Sequence, residues 1–321
     1  MSPRIDLALQ SGLNLSSPLS VLGPNPEHDL SALPRDAQIV QAFKPFHDHF
    51  QNLGFDAVPA SDAPCQDAIV FLPRAKALAR AMIHRACTRA KGVVVVDGAK
   101  TDGVDSILKD VRKRVAVEGP ISKAHGKIFW FTSDPHAFSD WAEPDHQMVD
   151  GFKTAPGVFS ADGPDPASKL LLTSLPKSLG ARAADLGAGW GYLSAHLLND
   201  RTLEHLHLVE ADHIALDCAR SNVQDPRAQF HWADAVTWKA AEPLDSVVMN
   251  PPFHTSRSAD PALGQGFIAS AARNLTRNGN LWMVANRHLL YEATLAEAFT
   301  RVEEVAGDNR FKVFHASRPR R

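Results

Sequence analysis

One short stretch constrains this chain more than any other: Ala183-Ala-Asp-Leu-Gly-Ala-Gly-Trp-Gly-Tyr-Leu-Ser194. The apolar run up to Asp185 reads as a buried strand. Gly187, Gly189 and Gly191 read as a loop opening into a helix that reaches about Asn199. Glycines permit positive φ and let backbone approach a ligand closely. From about residue 155 the pattern alternates strand and helix, which predicts an α/β fold with a mainly parallel sheet. In such sheets ligands bind beyond the carboxyl ends of the strands. A glycine-rich turn alone does not fix the ligand, because dinucleotide enzymes use a related loop.

Two acids narrow the choice. The next apolar strand, 205–210, ends in Glu210, and a third, about 228–233, is followed by Asp234. Either acid alone reads as a helix cap or salt-bridge partner. Together, at successive strand ends, they suit an adenosine-bearing cofactor: Glu210 for the ribose hydroxyls, Asp234 for the adenine amino group. The fourth strand closes with Asp245-Ser-Val-Val-Met-Asn-Pro-Pro-Phe-His254. Pro251 and Pro252 halt the strand and hold an extended turn. That turn offers the Asn250 side chain and the Pro251 carbonyl as acceptors for an –NH2 group, with Phe253 as a face for stacking. Hydride transfer needs no such group.

Composition excludes much else. The chain has 321 residues, 44% hydrophobic and 22% charged, which suggests two globular domains instead of a disordered or fibrous chain. No apolar run approaches the ~20 residues of a membrane span, and the first 23 residues lack a signal-peptide core. Cys65, Cys87 and Cys218 form no CxxC pair. The expectation is a cytoplasmic protein without membrane or metal partners. Formal net charge is −2, and neither half is globally basic. Any nucleic-acid contact would need a local patch. One candidate is the acid-free run 68–96 with Arg74, Lys76, Arg80, Arg85, Arg89 and Lys91, although a docked helix with a solvated rim explains it as well.

Asp185–Gly191, Glu210, Asp234 and 250–253 together resemble the motif set of class I S-adenosylmethionine-dependent methyltransferases acting on planar amino groups. The tail is similar too: 301–307 and 310–316 read as two strands joined at Asp308-Asn309, like the terminal antiparallel hairpin of that fold. The segments Pro156-Gly-Val-Phe-Ser-Ala-Asp-Gly163 and Ser168-Lys-Leu-Leu-Leu172 extend the likeness to the ribosomal RNA small subunit methyltransferase C family. The resemblance implies S-adenosylmethionine as cofactor, held by Phe159, Asp185, Gly187, Gly189, Gly191, Glu210, Asp234 and Asn250. It implies a catalytic turn of Asn250, Pro251, Pro252 and Phe253, and methyl transfer to the N2 amine of a guanosine. Ribosomal RNA or the small ribosomal subunit would be the partner of a monomer. The same turn also serves methyltransferases for adenine N6 or a release-factor glutamine, and a non-catalytic RNA-binding assembly factor stays open.

The N-terminal half echoes the C-terminal one. Asp67-Ala-Ile-Val-Phe-Leu-Pro73 matches Asp245-Ser-Val-Val-Met-Asn-Pro251, placing Leu72 opposite Asn250. A helix and a strand (93–97) follow, then a strand pair, 114–119 with 127–131. No glycine-rich loop precedes them. The expectation is two tandem Rossmann-like methyltransferase domains. Residues 1–150 form a degenerate copy aiding substrate binding and stability. Residues 151–321 form the catalytic domain, a seven-stranded mixed sheet with the terminal hairpin. His47 and His49 read as core or surface histidines instead of half a metal site.

Overall fold

The structure is a computed structural model and describes residues 3–142, 146–252 and 261–320. It divides into two compact units, Met1–Asp145 and His146–Arg321. Among the described residues no helix is long and apolar enough to cross a membrane, and no cluster of three metal-ligating side chains occurs.

The first unit begins with α1 (Pro3–Gln10), β1 (Leu19–Leu22), β2 (Gln38–Val40), α2 (Lys44–Asn52), β3 (Asp56–Val58) and β4 (Asp67–Phe71). It continues with α3 (Lys76–Arg89), β5 (Val93–Ala99), α4 (Val104–Val111), β6 (Glu118–Lys123) and β7 (Gly126–Thr132). The sheet order is β3-β2-β1-β4-β5-β7-β6, parallel except that β7 opposes both its neighbours. The first strand of the terminal pair begins at Glu118, not at 114. Arg114 and Val115 still donate to the Val111 carbonyl and prolong the turn of α4.

The second unit opens with a two-stranded ribbon, β8 (Gln147–Val149) and β9 (Phe152–Thr154). Asn222 fastens this ribbon to its own unit, accepting from Lys153 N (2.7 Å) and donating to Lys153 O (2.8 Å). Then come α5 (Pro166–Ser174), β10 (Arg182–Leu186), α6 (Tyr192–Leu197), β11 (His205–Glu210), α7 (His213–Asn222), β12 (Ala228–Trp232) and β13 (Leu244–Met249). The chain finishes with α8 (Pro261–Asn274), β14 (Leu275–Asn286), α9 (Glu292–Ala298), β15 (Phe299–Gly307) and β16 (Phe311–Pro319). The order β12-β11-β10-β13-β14-β16-β15 is a Rossmann-like seven-stranded mixed sheet closed by an antiparallel hairpin. Asp308 Oδ1 holds the hairpin turn by accepting from Arg310 N and Phe311 N, each at 2.7 Å.

The central strands are apolar on both faces because helices cover both. In the second unit Ala184, Leu186, Val247 and Met249 pack on one side with Phe267, Ile268 and Leu295, and Ala183 and Val248 pack on the other with Leu171, Leu193 and Leu197. Full burial of each larger side chain contributes roughly 1.5–3 kcal/mol.

The two sheets correspond strand by strand. Leu22 pairs with Val40 and Val70, and Leu186 pairs with Val209 and Met249. Gly23 N donates to Val40 O at 3.0 Å, as Gly187 N donates to Val209 O at 2.9 Å. This register aligns Gln41 with Glu210 and Phe71, not Leu72, with Asn250. Leu72 packs with Ala68 and Val70 toward α3 and α4, on the side that Met249 occupies in the second unit. Alternation along a strand therefore puts Leu72 on the wrong face, one residue out of phase.

The middle of the basic run forms α3, and three of its cations serve the fold. Lys76 and Arg80 share Asp110 at 2.9 and 2.7 Å, and buried Arg89 donates to Ala63 O and Ser20 Oγ. His47 is buried, with Nε2 3.0 Å from the Ala57 carbonyl. All three cysteines are buried and free.

Candidate active site

The loop leaving β10 carries three positive-φ glycines, at +77° for Gly187, +55° for Gly189 and +87° for Gly191. Those angles favour glycine, most strongly at Gly187 and Gly191. A β-carbon on Gly189 would meet nothing within 4 Å, so this part of the loop borders open space. Gly191 is different: there a β-carbon would lie 3.1 Å from Ala219 and Val223, which seats α6 against α7.

Asp185, next to last in β10, is fully buried. Its Oδ2 accepts from Ser194 Oγ at 2.7 Å, and Oδ1 is buried with no partner among the described residues. Burial drives its pKa up to about 7 against the Ser194 hydrogen bonds. Glu210, at the tip of β11, accepts from Gly189 N and Asp212 N, both at 2.8 Å. Part of its side chain stays accessible, yet burial raises its pKa to about 7 as well. The carboxylate thus braces the glycine loop from below. Asp234, two residues after β12, engages Val236 N at 2.8 Å through Oδ1.

Asn250 follows β13 on the face shared by Val248 and reaches the start of α5. Its Nδ2 donates to Asp165 Oδ2 and Ser168 Oγ, both at 2.9 Å. Asp165 is also the N-cap of α5, accepting from Ser168 N at 2.9 Å, with Pro166 at the first helical position. A carboxylate can only accept, so this contact sets the amide's orientation. Asn250 Oδ1 is left buried and without a partner among the described residues. Leaving such an acceptor unmade costs about 1–3 kcal/mol, a cost a donor group from a ligand would remove. Pro251 is buried and Pro252 exposed, and Phe253 lies outside the described residues.

Phe159 is 61% exposed, while its carbonyl accepts from Trp190 Nε1 at 3.0 Å and ties the segment before α5 to the glycine loop. Trp190 itself is buried, its ring 5.2 Å from Phe152. The structure thus brings Asp185, the three glycines, Glu210, Asp234 and Asn250 to one edge of one sheet. Asp165 and Ser194 were not singled out as site residues. Asp165 announces itself through Asp-Pro at a helix start, whereas nothing local marks Ser194.

An α/β unit with this strand order, a glycine loop braced by an acid at the second strand tip, and an acceptor-bearing turn after the fourth defines an S-adenosylmethionine-binding methyltransferase. Residues 150–315 match the family "methyltransferase small domain", and the chain belongs to that family. It is 30% identical over 270 residues to the ribosomal RNA small subunit methyltransferase C of Shewanella halifaxensis (strain HAW-EB4), covering 79% of this chain and 78% of that protein. It is 38% identical over 168 residues to the ribosomal RNA large subunit methyltransferase G of Pseudomonas paraeruginosa, covering 50% and 44%. Among solved structures, a T. thermophilus 16S rRNA N2 methyltransferase in complex with AdoMet and guanosine superposes with a TM-score of 0.78 at 23% identity, covering 98% of this chain and 92% of that one.

Proposed function

We propose that this chain methylates the exocyclic N2 amine of a guanosine in small-subunit ribosomal RNA, with S-adenosylmethionine as donor. The observation carrying this reading is the bare Oδ1 of Asn250, an acceptor held by two hydrogen bonds on its Nδ2 and aligned with the glycine loop's edge of the sheet. The residues present fit the cofactor. Glu210 suits the ribose hydroxyls, Asp234 the adenine amino group, and Asp185 Oδ1 offers a further buried acceptor. When bound, S-adenosylmethionine supplies an electrophilic methyl group.

A guanine amine is a weak nucleophile because its lone pair is delocalised into the ring. Asn250 Oδ1 and the Pro251 carbonyl accept its two hydrogens, favour a pyramidal nitrogen and so draw the lone pair out of conjugation with the ring. Such alignment lowers a barrier by up to ~7–11 kcal/mol when the approach is near ideal. The same two oxygens stabilise positive charge as it develops on the nitrogen. No side-chain base is required. Phe253 would stack on a base splayed from its neighbours, offsetting a few kcal/mol of unstacking.

Small-subunit ribosomal RNA is favoured by the relative matched over most of both chains, and guanine by the solved relative whose complex holds guanosine. A second reading, the same chemistry on large-subunit RNA, is favoured by the 38% identity to methyltransferase G. The first unit is a degenerate copy that supports substrate binding and folding. The enzyme acts in the cytoplasm as a monomer. Labelled S-adenosylmethionine offered with undermethylated small subunits, large subunits, free RNA and release factor tests the reading. Label in N2-methylguanosine of the small subunit supports it, and label only in adenine or glutamine rejects it.

A further inference from the structure

Resting on the proposal that the acceptor is RNA, we infer that a cavity at the hairpin end of the second sheet holds a nucleotide next to the methylated one in the same single strand. The cavity is about 530 Å³ and is lined by Asn286, Arg287, His288, Asn309, Arg310 and Phe311. It opens on the edge that carries Asn250. Met249 of β13 pairs with Met283 of β14, and Asn286 lies three residues further along. Asn250 is therefore level with Val284, two residues short of Asn286, and at about 3.3 Å per residue and ~4.8 Å between strands the two backbones are roughly 8 Å apart. One nucleotide step spans that gap.

The walls suit RNA. Arg287 is fixed in place: Nε donates to Asp308 O (2.6 Å), and Nη2 to Glu304 Oε1 (2.7 Å) and Phe311 O (3.2 Å). Gly307 makes room for it, since a β-carbon there would lie 2.3 Å from Arg287 Nη2. Arg310 has its guanidinium 5.0 Å from the Phe311 ring centroid and forms no ion pair among the described residues. A guanidinium over a ring presents a flat cationic surface on which a base stacks, while its outer N–H groups reach a phosphate. Asn286 and Asn309 add amide donors and acceptors, and Leu290 nearby is 80% exposed. Both carboxylates at this end are already engaged, Asp308 by the two backbone N–H groups of its turn and Glu304 by Arg287 Nη2. Arg287 already braces the hairpin, whereas the hairpin makes no such use of Arg310 or of the hollow.

The test is fluorescence anisotropy on the full chain with a fluorescein-labelled, guanine-containing single-stranded decaribonucleotide over a series of KCl concentrations. Arg310→Ala should weaken binding five- to tenfold and reduce the slope of log K against log[KCl] by about 0.7, the value for one lost phosphate contact on a single strand. Arg310→Lys should restore the slope but only part of the affinity, since lysine keeps the charge and loses the plane. Arg301→Ala, on exposed β15, should change neither, and S-adenosylmethionine affinity should be unaltered in all three. Wild-type affinity and slope in Arg310→Ala would overturn the assignment, as would equal losses in Arg310→Ala and Arg301→Ala. Failure of the wild-type chain to bind the oligonucleotide would overturn this site, and label appearing in small subunits would then leave the RNA reading standing without it.

Discussion

The same strand order ends in two different edges. In the second sheet the carboxyl ends of the first, second and fourth strands carry Gly187, Glu210 and Asn250; in the first they carry Gly23, Gln41 and Phe71. The backbone design persists. Gln41 Oε1 accepts from Phe43 N at 2.9 Å, as Glu210 Oε1 accepts from Asp212 N at 2.8 Å. The chemistry does not. Gln41 donates to the Pro24 carbonyl where Glu210 accepts from a glycine N–H. His28 stacks on Phe71 with centroids 4.1 Å apart, and a β-carbon on Gly23 would lie 2.7 Å from Met82 Cε. Asp97, fully buried at the end of β5, is bridged by Arg4 at 2.5 Å. The first unit has put side chains and an internal ion pair where the second keeps a cradle and an unmet acceptor. Two sheets of one strand order can thus share a ladder while their edges differ in chemistry.

Breaking the active edge should have the largest effect. Asn250→Ala should lower turnover by about 10³-fold, comparable to losing a placed polar group at a reacting centre, with cofactor affinity nearly unchanged. Single-turnover kinetics beside calorimetry checks this, and retained turnover refutes the role. In the first unit, Arg4→Ala should destabilise by about 3–5 kcal/mol by stranding a buried carboxylate, read by urea unfolding. Glu210→Gln should weaken S-adenosylmethionine binding by about 1.5–3 kcal/mol, because the amide cannot accept at both oxygens.

Acidity sharpens the contrast. Asp185 and Glu210 have folded pKa values raised to about 7, so both take up protons as pH falls below neutrality. S-adenosylmethionine is cationic, so its affinity should rise with pH through about 7 and level off above 8, and a flat calorimetric profile would count against both residues. His28 in the first unit and His207 in the second behave oppositely, each lowered by burial to about 4 from 6.5. The unfolded chain then binds more protons between pH 6.5 and 4, so each unit loses stability as pH falls through that window, by on the order of 1 kcal/mol for the half-buried His207. Gln41→Glu is the mildest test. It should leave the cofactor stoichiometry at one per chain, because Phe71, His28 and Met82 still fill the first edge; a second binding event would break the comparison.

The second unit was largely legible in the sequence because its signals are local: glycines in one loop, acids at strand tips, prolines after a strand. The first unit was legible as a repeat but misphased at Leu72. Apolar strands buried on both faces carry no mark of which residue faces which layer, and only the pairing of Leu22 with Val70 resolves it. Gln41 escaped notice because an uncharged amide at a strand end looks ordinary until its partner Phe43 N is seen. Asp165 and Ser194 act across 85 and 9 residues of sequence respectively. No spacing rule links them to Asn250 and Asp185.

One oxygen of Asp165 serves two masters, the first turn of α5 and the amide of Asn250. Fraying that turn would also release the amide to rotate, presenting a donor where an acceptor is required. With Asn250 in the role proposed for it, local helix integrity and readiness for methyl transfer are coupled. Substitutions well inside α5 that only loosen its beginning should register first as slower catalysis, before any loss of folded protein is measurable.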